Sequence, residues 1–460
     1  MRMRRAFLVV AVALAALSSA CESGPPPVGA LVQLTTRDLS DVVGKPLTIL
    51  VRVDDRTGRL LAKYPVSFNP AHGSGSVTPG QITTDASGVV SVRWTLGTKA
   101  GPQSLTASAG GQSLTITATA RPDAPAALVV RSGADQTGTV GEALANPPVV
   151  GVRDQYENGV PGVPVEIRVV AGGGSLIATG SRSDAAGDVR VTWSFGSVPG
   201  EQAVVVEAAG IEPLRVRATA VAGPPARVAL VSGGGQAGAV AKPLATPLVF
   251  EARDRFGNLS VAGRVDFRGD GSASPSPGTA GADGRVTTVW TMGTRAGPQT
   301  MQAIAGTADS TAAAGTAAPG PPAAVARVRG DNQRGWAGGV LADSLSVLVK
   351  DEFDNPVPGA QVGFVVTGGG GAASPGTAVS RASGEARTAW RLGSSVGPHA
   401  LEARLGGATA VPFAATATSG PPARITAVGG DRQSAIVGSE LLAPVSVRVH
   451  DAFNNVAQGA

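Results

Sequence analysis

The sequence predicts an all-β chain built from one sandwich-sized unit repeated along its length. Three observations carry this reading. Four tryptophans, Trp94, Trp193, Trp290 and Trp390, recur at spacings of 99, 97 and 100 residues. Around each of them large apolar residues alternate with polar ones, a period of two that puts them on opposite faces of a strand. Gly (64) and Pro (34) together reach about twice average usage, which disfavours long helices.

The chain opens with MRMRR, then the apolar run AFLVVAVALAAL, then SSA before Cys21. A basic start, a short apolar stretch and small residues at a cleavage point read as an export leader over residues 1–20. The apolar run is too short to span a bilayer comfortably. Cys21 is the sole cysteine and sits where cleavage is expected. This start resembles a bacterial lipoprotein signal, which implies lipidation of Cys21 and a membrane anchor. It departs from that pattern in having Ser18 three residues before the cysteine, with Leu17 one further back. Ordinary cleavage after Ala20, leaving a free thiol, is the alternative. Residues 21–28 (CESGPPPV) carry no core-forming pattern and suit a flexible tether.

The repeats follow. Each tryptophan begins the same phrase: WTLG, WSFG, WTMG, WRLG. A second phrase follows it: GPQ (101–103), PGEQ (199–202), GPQ (297–299), GPH (397–399). Upstream comes an acidic turn: DDRTG (54–58), DQYENG (154–159), DRFGN (254–258), DEFDN (351–355), DAFNN (451–455). Pro-rich joints separate the units: RPDAPA (121–126), GPPAR (223–227), PGPPAA (319–324), GPPAR (420–424). The units are therefore 29–121, 125–222, 225–318 and 322–419, with a partial fifth at 423–460. The partial unit stops before any counterpart of the Trp390 strand, so the chain is expected to be a fragment of a longer protein. Its Val445, Val447 and Val449 are expected on one face with no second sheet over them.

Within a unit the strands read from alternation. Leu47, Ile49, Val51 and Val53 precede the acidic turn. Val163, Val165, Ile167 and Val169, or Val362, Phe364 and Val366, follow it. Val90, Val92, Trp94 and Leu96 come later. Half-polar strands need a second sheet over their apolar face. About 98 residues with around seven such strands make an immunoglobulin-like sandwich, here four complete units and a truncated fifth in an elongated array. No cysteine pair bridges the sheets, so the tryptophan anchors each core by packing alone.

Two stretches carry a family resemblance: VKDEFDNPVPGAQVGFVV (349–366) with ASGEARTAWRLGSSVGPHALEA (382–403), and VRDQYENGVPGVPVEIRVV (152–170) with DAAGDVRVTWSFG (184–196). They resemble bacterial immunoglobulin-like domains of group 1, the invasin/intimin type, and the likeness covers nearly everything after residue 29. It implies an extracytoplasmic protein in which such domains form a rod holding a binding tip away from the cell. The sequence shows neither an N-terminal outer-membrane barrel nor a lectin-like C-terminal domain, so host-cell invasion does not carry over.

Chemistry-bearing clusters are sparse. His72, His399 and His450 are far apart and share no metal-ligand spacing. Asp351, Glu352 and Asp354 offer oxygens to a cation, but Asx-turn hydrogen bonding accounts for them more simply. The runs GGGS (172–175) and GGGG (368–371) lack phosphate-loop spacing and read as flexible inter-strand loops. Arg-Gly-Asp occurs at 268–270 and 329–331, the second at a drifted repeat position matching SGADQ (132–136) and SGGGQ (232–236). No Ser/His/Asp set or nucleophile elbow is present. Without Arg2, Arg4 and Arg5 the charge is 35 basic against 33 acidic, which leaves no footprint for nucleic acid.

No catalytic, cofactor or metal residues are therefore assigned. The expectation is a non-enzymatic surface or periplasmic stalk for spacing, display or adhesion. Its partner would be a surface protein or glycan, and it would meet the membrane through its N-terminus. The alternative is the stalk of a larger extracytoplasmic enzyme or carbohydrate-binding protein whose active module lies beyond residue 460.

Overall fold

A computed structural model describes residues 26–178, 182–307, 309–407 and 409–459. The leader, Cys21 and most of the tether lie outside the described residues, as does Ala460. The described residues form strands and turns and contain no helix. The chain divides into two units, residues 1–221 and 222–460, which are taken separately.

Repeat 1 shows how the sequence builds the sandwich. Its strands are β1 (Val28–Gln33), β2 (Leu39–Val42), β3 (Pro46–Asp55), β4 (Pro65–Pro70), β5 (Ser76–Thr78), β6 (Gln81–Thr83), β7 (Val89–Thr95), β8 (Gly101–Ala109) and β9 (Gln112–Arg121). One sheet has the order β1-β3-β7-β5 and the other β2-β9-β8-β4-β6. Ile49, Val51 and Val53 on β3 and Val90, Val92 and Trp94 on β7 turn the same way and are buried. Leu105, Ala107, Ile116 and Ala118 close over them from the second sheet. The polar residues between them face outward, which is why a period of two suffices to place the core. Leu47 and Val77 flank Trp94 in register on the two neighbouring strands.

Repeat 2 completes the first unit with sheets of four strands each. In the second unit, repeats 3 and 4 each pair a four-stranded with a five-stranded sheet. All four tryptophans sit in the cores, at 0–1% exposure. Burying one removes about 150–250 Å² from water, on the order of 4–6 kcal/mol. Trp336, which lies off the repeat position, is 60% exposed.

The strand count exceeds the expected seven. Repeat 1 has nine, because its first strand splits in two (β1 and β2) and the short β5 and β6 flank the turn at Pro79-Gly80. β2, β5 and β6 are only three or four residues long, too short to show a period. In repeat 2 the strand after the acidic turn begins at Glu166, so Val163 and Val165 precede it, packed against the core from the turn. In repeat 1 the residue equivalent to Asp154 is Asp55, not Asp54. Asp55 N–H donates to the Arg59 carbonyl as Asp154 N–H does to that of Asn158.

Residues 423–459 carry one hairpin, Pro422–Gly429 with Ser446–Asp451. Val445 and Val447 are exposed, as are Ile436, Val437 and Leu442. Their counterparts in repeat 4, Leu345 and Val347, are fully buried.

Candidate functional site: the joints between repeats

The acidic turns do two jobs with one set of atoms. In repeat 4, Asp351 Oδ1 accepts the N–H groups of Phe353 and Asn355, both at 2.9 Å. This is the expected Asx turn, and Asp354 takes a positive φ of 65° within it. Oδ2 faces the other way and accepts the linker N–H of Gly320 at 2.8 Å and the Asn355 Nδ2 at 2.9 Å. Both carboxylate oxygens thus meet N–H donors. Burial alone would raise the Asp351 carboxyl, but the hydrogen bonds from Asn355, Gly320 and Phe353 outweigh it and hold it below the usual range. Asp154 and Asp254 are held low for the same reasons, and Asp451 is brought down to about 2.

The second job was not visible in the sequence. Asn355 reaches out of its own repeat: its Nδ2 donates to the Thr294 carbonyl of repeat 3, and its Oδ1 accepts the Ala296 N–H, both at 2.8 Å. Phe353 packs against the core of repeat 3 beside this contact. In the first unit Asn158 makes the same pair with Thr98 O and Ala100 N, both at 2.8 Å. The linker N–H of Asp123 donates to Asp154 Oδ2 at 2.9 Å. Asn455 donates to Ser394 O at 2.8 Å, and Gly420 N–H donates to Asp451. Asp fixes the linker, and Asn fixes the preceding repeat.

The receiving loop is itself held rigid by the residue of the G-P-Q phrase. Gln103 Oε1 accepts from Gly97 N, and its Nε2 donates to Lys99 O, both at 2.8 Å. Gln299 does the same for Gly293 and Arg295. In repeat 4 a histidine takes the place of this Gln. His399 Nε2 accepts from Gly393 N, so its Nδ1 donates to Gly397 O. Its burial is structural. The Gly runs belong to this arrangement too. Gly172 has φ 77°, and a Cβ there would stand 2.2 Å from the Gln202 amide carbon, so the run makes a close approach to that side chain.

Repeat 1 lacks the coupling residues at its own turn. Arg59 stands where the other turns place Asn, and Thr57 where they place an aromatic residue. Asp55 there keeps only the local bonds, to Thr57 and Arg59.

The remaining candidates resolve into structural roles. Asp270 Oδ2 accepts Thr300 N–H, and its carbonyl accepts the Trp290 indole N–H at 2.7 Å. Asp331 accepts Ala414 N–H and pairs with Arg327. Neither Arg-Gly-Asp triplet therefore presents a free aspartate. His72 is exposed, while His450 donates or accepts within its own hairpin and turn. An open groove of about 510 Å³ in repeat 2 is lined by Glu166 and Glu207, with Glu207 tied to Arg168 at 2.7 Å. The corresponding groove of repeat 4, about 550 Å³, is lined by Gln361 and Gly406 and has no carboxylate. Among the described residues no group of His, Cys, Asp and Glu could hold a metal ion.

Comparison with protein-family models and with characterised proteins returns no match. Solved structures do show likeness. The Escherichia coli adhesin FdeC is 19% identical, with a TM-score of 0.34 over 64% of this chain and 96% of that one. Invasin, described as a bacterial integrin-binding protein, is 17% identical, with a TM-score of 0.37 over 84% and 79%. The surface layer protein SbsC, domains 1–6, is 14% identical, with a TM-score of 0.28 over 95% and 58%. The fold assigned here, tandem immunoglobulin-like sandwiches, is read from this chain's own strands and sheets.

Proposed function

We propose that the chain is a non-enzymatic stalk of the bacterial cell envelope, built from invasin-type repeats, which spaces or displays a binding partner away from the membrane. The observation that supports this most is the destination of its repeated polar residues. Asp154, Asn158, Asp351, Asn355, Asp451 and Asn455 converge on joints between sandwiches. A chain whose task lies in one pocket has no use for the same clasp at successive joints; a spacer does, because its reach depends on the angle at each one. The proline-bearing linkers act in the same direction by fixing φ. Export through the 1–20 leader and lipidation at Cys21 would set the base of the stalk, and a surface protein or glycan would be its partner.

The test is a measurement of distance in cells. An epitope placed near residue 459 is located by immunogold labelling relative to the membrane. Deleting repeat 3 (225–318) should bring the label closer by about 35 Å, the length of one sandwich. A label whose distance ignores the deletion would refute the spacing role. Cys21→Ala should move the protein out of the membrane fraction; unchanged fractionation would remove the lipid anchor from the proposal.

A further inference from the structure

The second and last strands of each complete repeat run parallel, in a sandwich whose other strand pairings, that of the first strand included, are antiparallel. Leu39–Val42 pairs with Ala118–Arg121 in repeat 1, and Gln136–Thr139 with Ala218–Val221 in repeat 2. Gln236–Ala239 pairs with Gly315–Ala318 in repeat 3, and Gln333–Trp336 with Ala415–Thr418 in repeat 4. One further bond prolongs each ladder at its exit end, as in Ala337 N–H to Thr418 O at 2.9 Å.

This geometry decides how tension would act. Force on a stalk enters each repeat through its first strands and leaves through its last. It pulls the second strand back toward its N-terminus and the final strand on toward its C-terminus. For parallel neighbours those directions are opposite along one shared axis, so the ladder bonds are loaded in shear and must fail together. An antiparallel hairpin pulled at its open end is loaded one bond at a time.

The first residue of the clamp strand ties the crossover before it to the turn after it. Gln333 Nε2 donates to Gly330 O at 2.8 Å and Asp343 O at 2.9 Å, and its Oε1 accepts Asp343 N–H at 2.9 Å. Gln136 and Gln236 make the same three bonds in their repeats. These are the glutamines of the SGADQ and SGGGQ phrases, which the stalk reading leaves without a role. In repeat 1 the corresponding position is Leu39, and Gln33 reaches only the nearby Thr36 carbonyl.

We propose that each complete repeat is a load-bearing element whose parallel second and last strands form a shear clamp, with the crossover Gln as its latch in repeats 2–4. The chain would thereby transmit tension between its anchor and its bound partner without unfolding. The proposal rests on the stalk reading for its biological meaning. Its test does not: force is measured on the isolated chain, whereas the stalk reading stands or falls on label distance in cells.

The exported chain, held by tags at its two ends, is extended in single-molecule pulling. Four unfolding peaks are expected, each releasing about 85 residues, or ~300 Å of contour at ~3.6 Å per residue. The partial fifth repeat, which has no parallel partner strand, should extend without a peak. Ala337→Pro removes the N–H that donates to Thr418 O and should lower one peak to roughly half or less while the other three keep their force. Gln333→Ala, which leaves the ladder intact, should lower the same peak by a smaller amount. Val347→Ala, a core truncation away from the clamp, should lower the thermal midpoint of repeat 4 but leave its peak in place. Extension without four peaks would overturn the proposal. So would a Val347→Ala peak reduced as far as that of Ala337→Pro, or Ala337→Pro and Gln333→Ala both leaving the force unchanged.

Discussion

Replacing Asn355 with Ala should loosen the joint between repeats 3 and 4 without unfolding either. The side chain is 7% exposed. It makes three bonds that Ala cannot: to Thr294 O, from Ala296 N–H, and to Asp351 Oδ2. Two neutral bonds at ~1 kcal/mol and one to a carboxylate at ~1.5–3 give a gross loss of about 3.5–5 kcal/mol. Thr294 is exposed and Ala296 half-buried, so water recovers part of this when the joint opens. A net effect of about 2–3 kcal/mol corresponds to a roughly 30- to 150-fold rise in the open population. Hydrogen exchange reads this at the Gly320 amide, which is bonded to Asp351 and not to Asn355. It should exchange faster by about that factor, while amides in the middle of the Leu345–Lys350 strand should change little. Unchanged protection at Gly320 would mean that Asn355 does not hold the joint. Equal acceleration in the strand would mean that Asn355 stabilises repeat 4 itself.

Three further outcomes follow from the same contacts. Trp94 donates its indole N–H to Ser74 O at 2.7 Å, whereas the indole N–H of Trp193 meets no acceptor among the described residues. Trp94→Phe should therefore cost repeat 1 about 1 kcal/mol more than Trp193→Phe costs repeat 2, by thermal unfolding; equal losses would contradict the hydrogen-bond assignment. The carboxyls of Asp154, Asp351 and Asp451 lie below their ordinary 3.8, with Asp451 at about 2. A depressed carboxyl stabilises the folded form above its unfolded value, so the joints should stay intact down to about pH 4 and weaken as the pH falls towards 2. Loosening between pH 7 and 5, read by the same amides, would contradict this. Limited proteolysis should cut residues 423–459 first, because Val437 and Leu442 are fully exposed and no second sheet covers the hairpin; early cuts within repeat 2, 3 or 4 would contradict it.

The parts of this structure that the sequence discloses are those that repeat with a period. Val90, Val92 and Trp94 alternate, so their burial follows from spacing alone, and the recurrence of the tryptophan phrase sets the length of the unit. What stays hidden is short or reaches far along the chain. The parallel strand Gln136–Thr139 is four residues of QTGT, with too little apolar content to show a face. Asn355 contacts residues some sixty positions away, and the Asx turn already explains an Asn there. In the phrase DDRTG two aspartates are adjacent, and the bonds of Asp55 to Thr57 and Arg59 are what mark it, and not Asp54, as the turn residue. The GPH phrase aligns His399 with Gln103 and Gln299, but that a histidine keeps the glutamine's bond to the receiving loop is visible only in the hydrogen-bond geometry.

The central claim is that repeated clasps make these sandwiches a spacer of defined length. Small-angle X-ray scattering of residues 26–221, the first unit, at neutral pH measures that length directly. Two repeats of about 35 Å each predict a maximum dimension near 70 Å, and Asn158→Ala should broaden the distribution without changing the strand content. A maximum dimension near half that value, insensitive to the substitution, would show the two repeats folded back on one another and would contradict a clasped spacer.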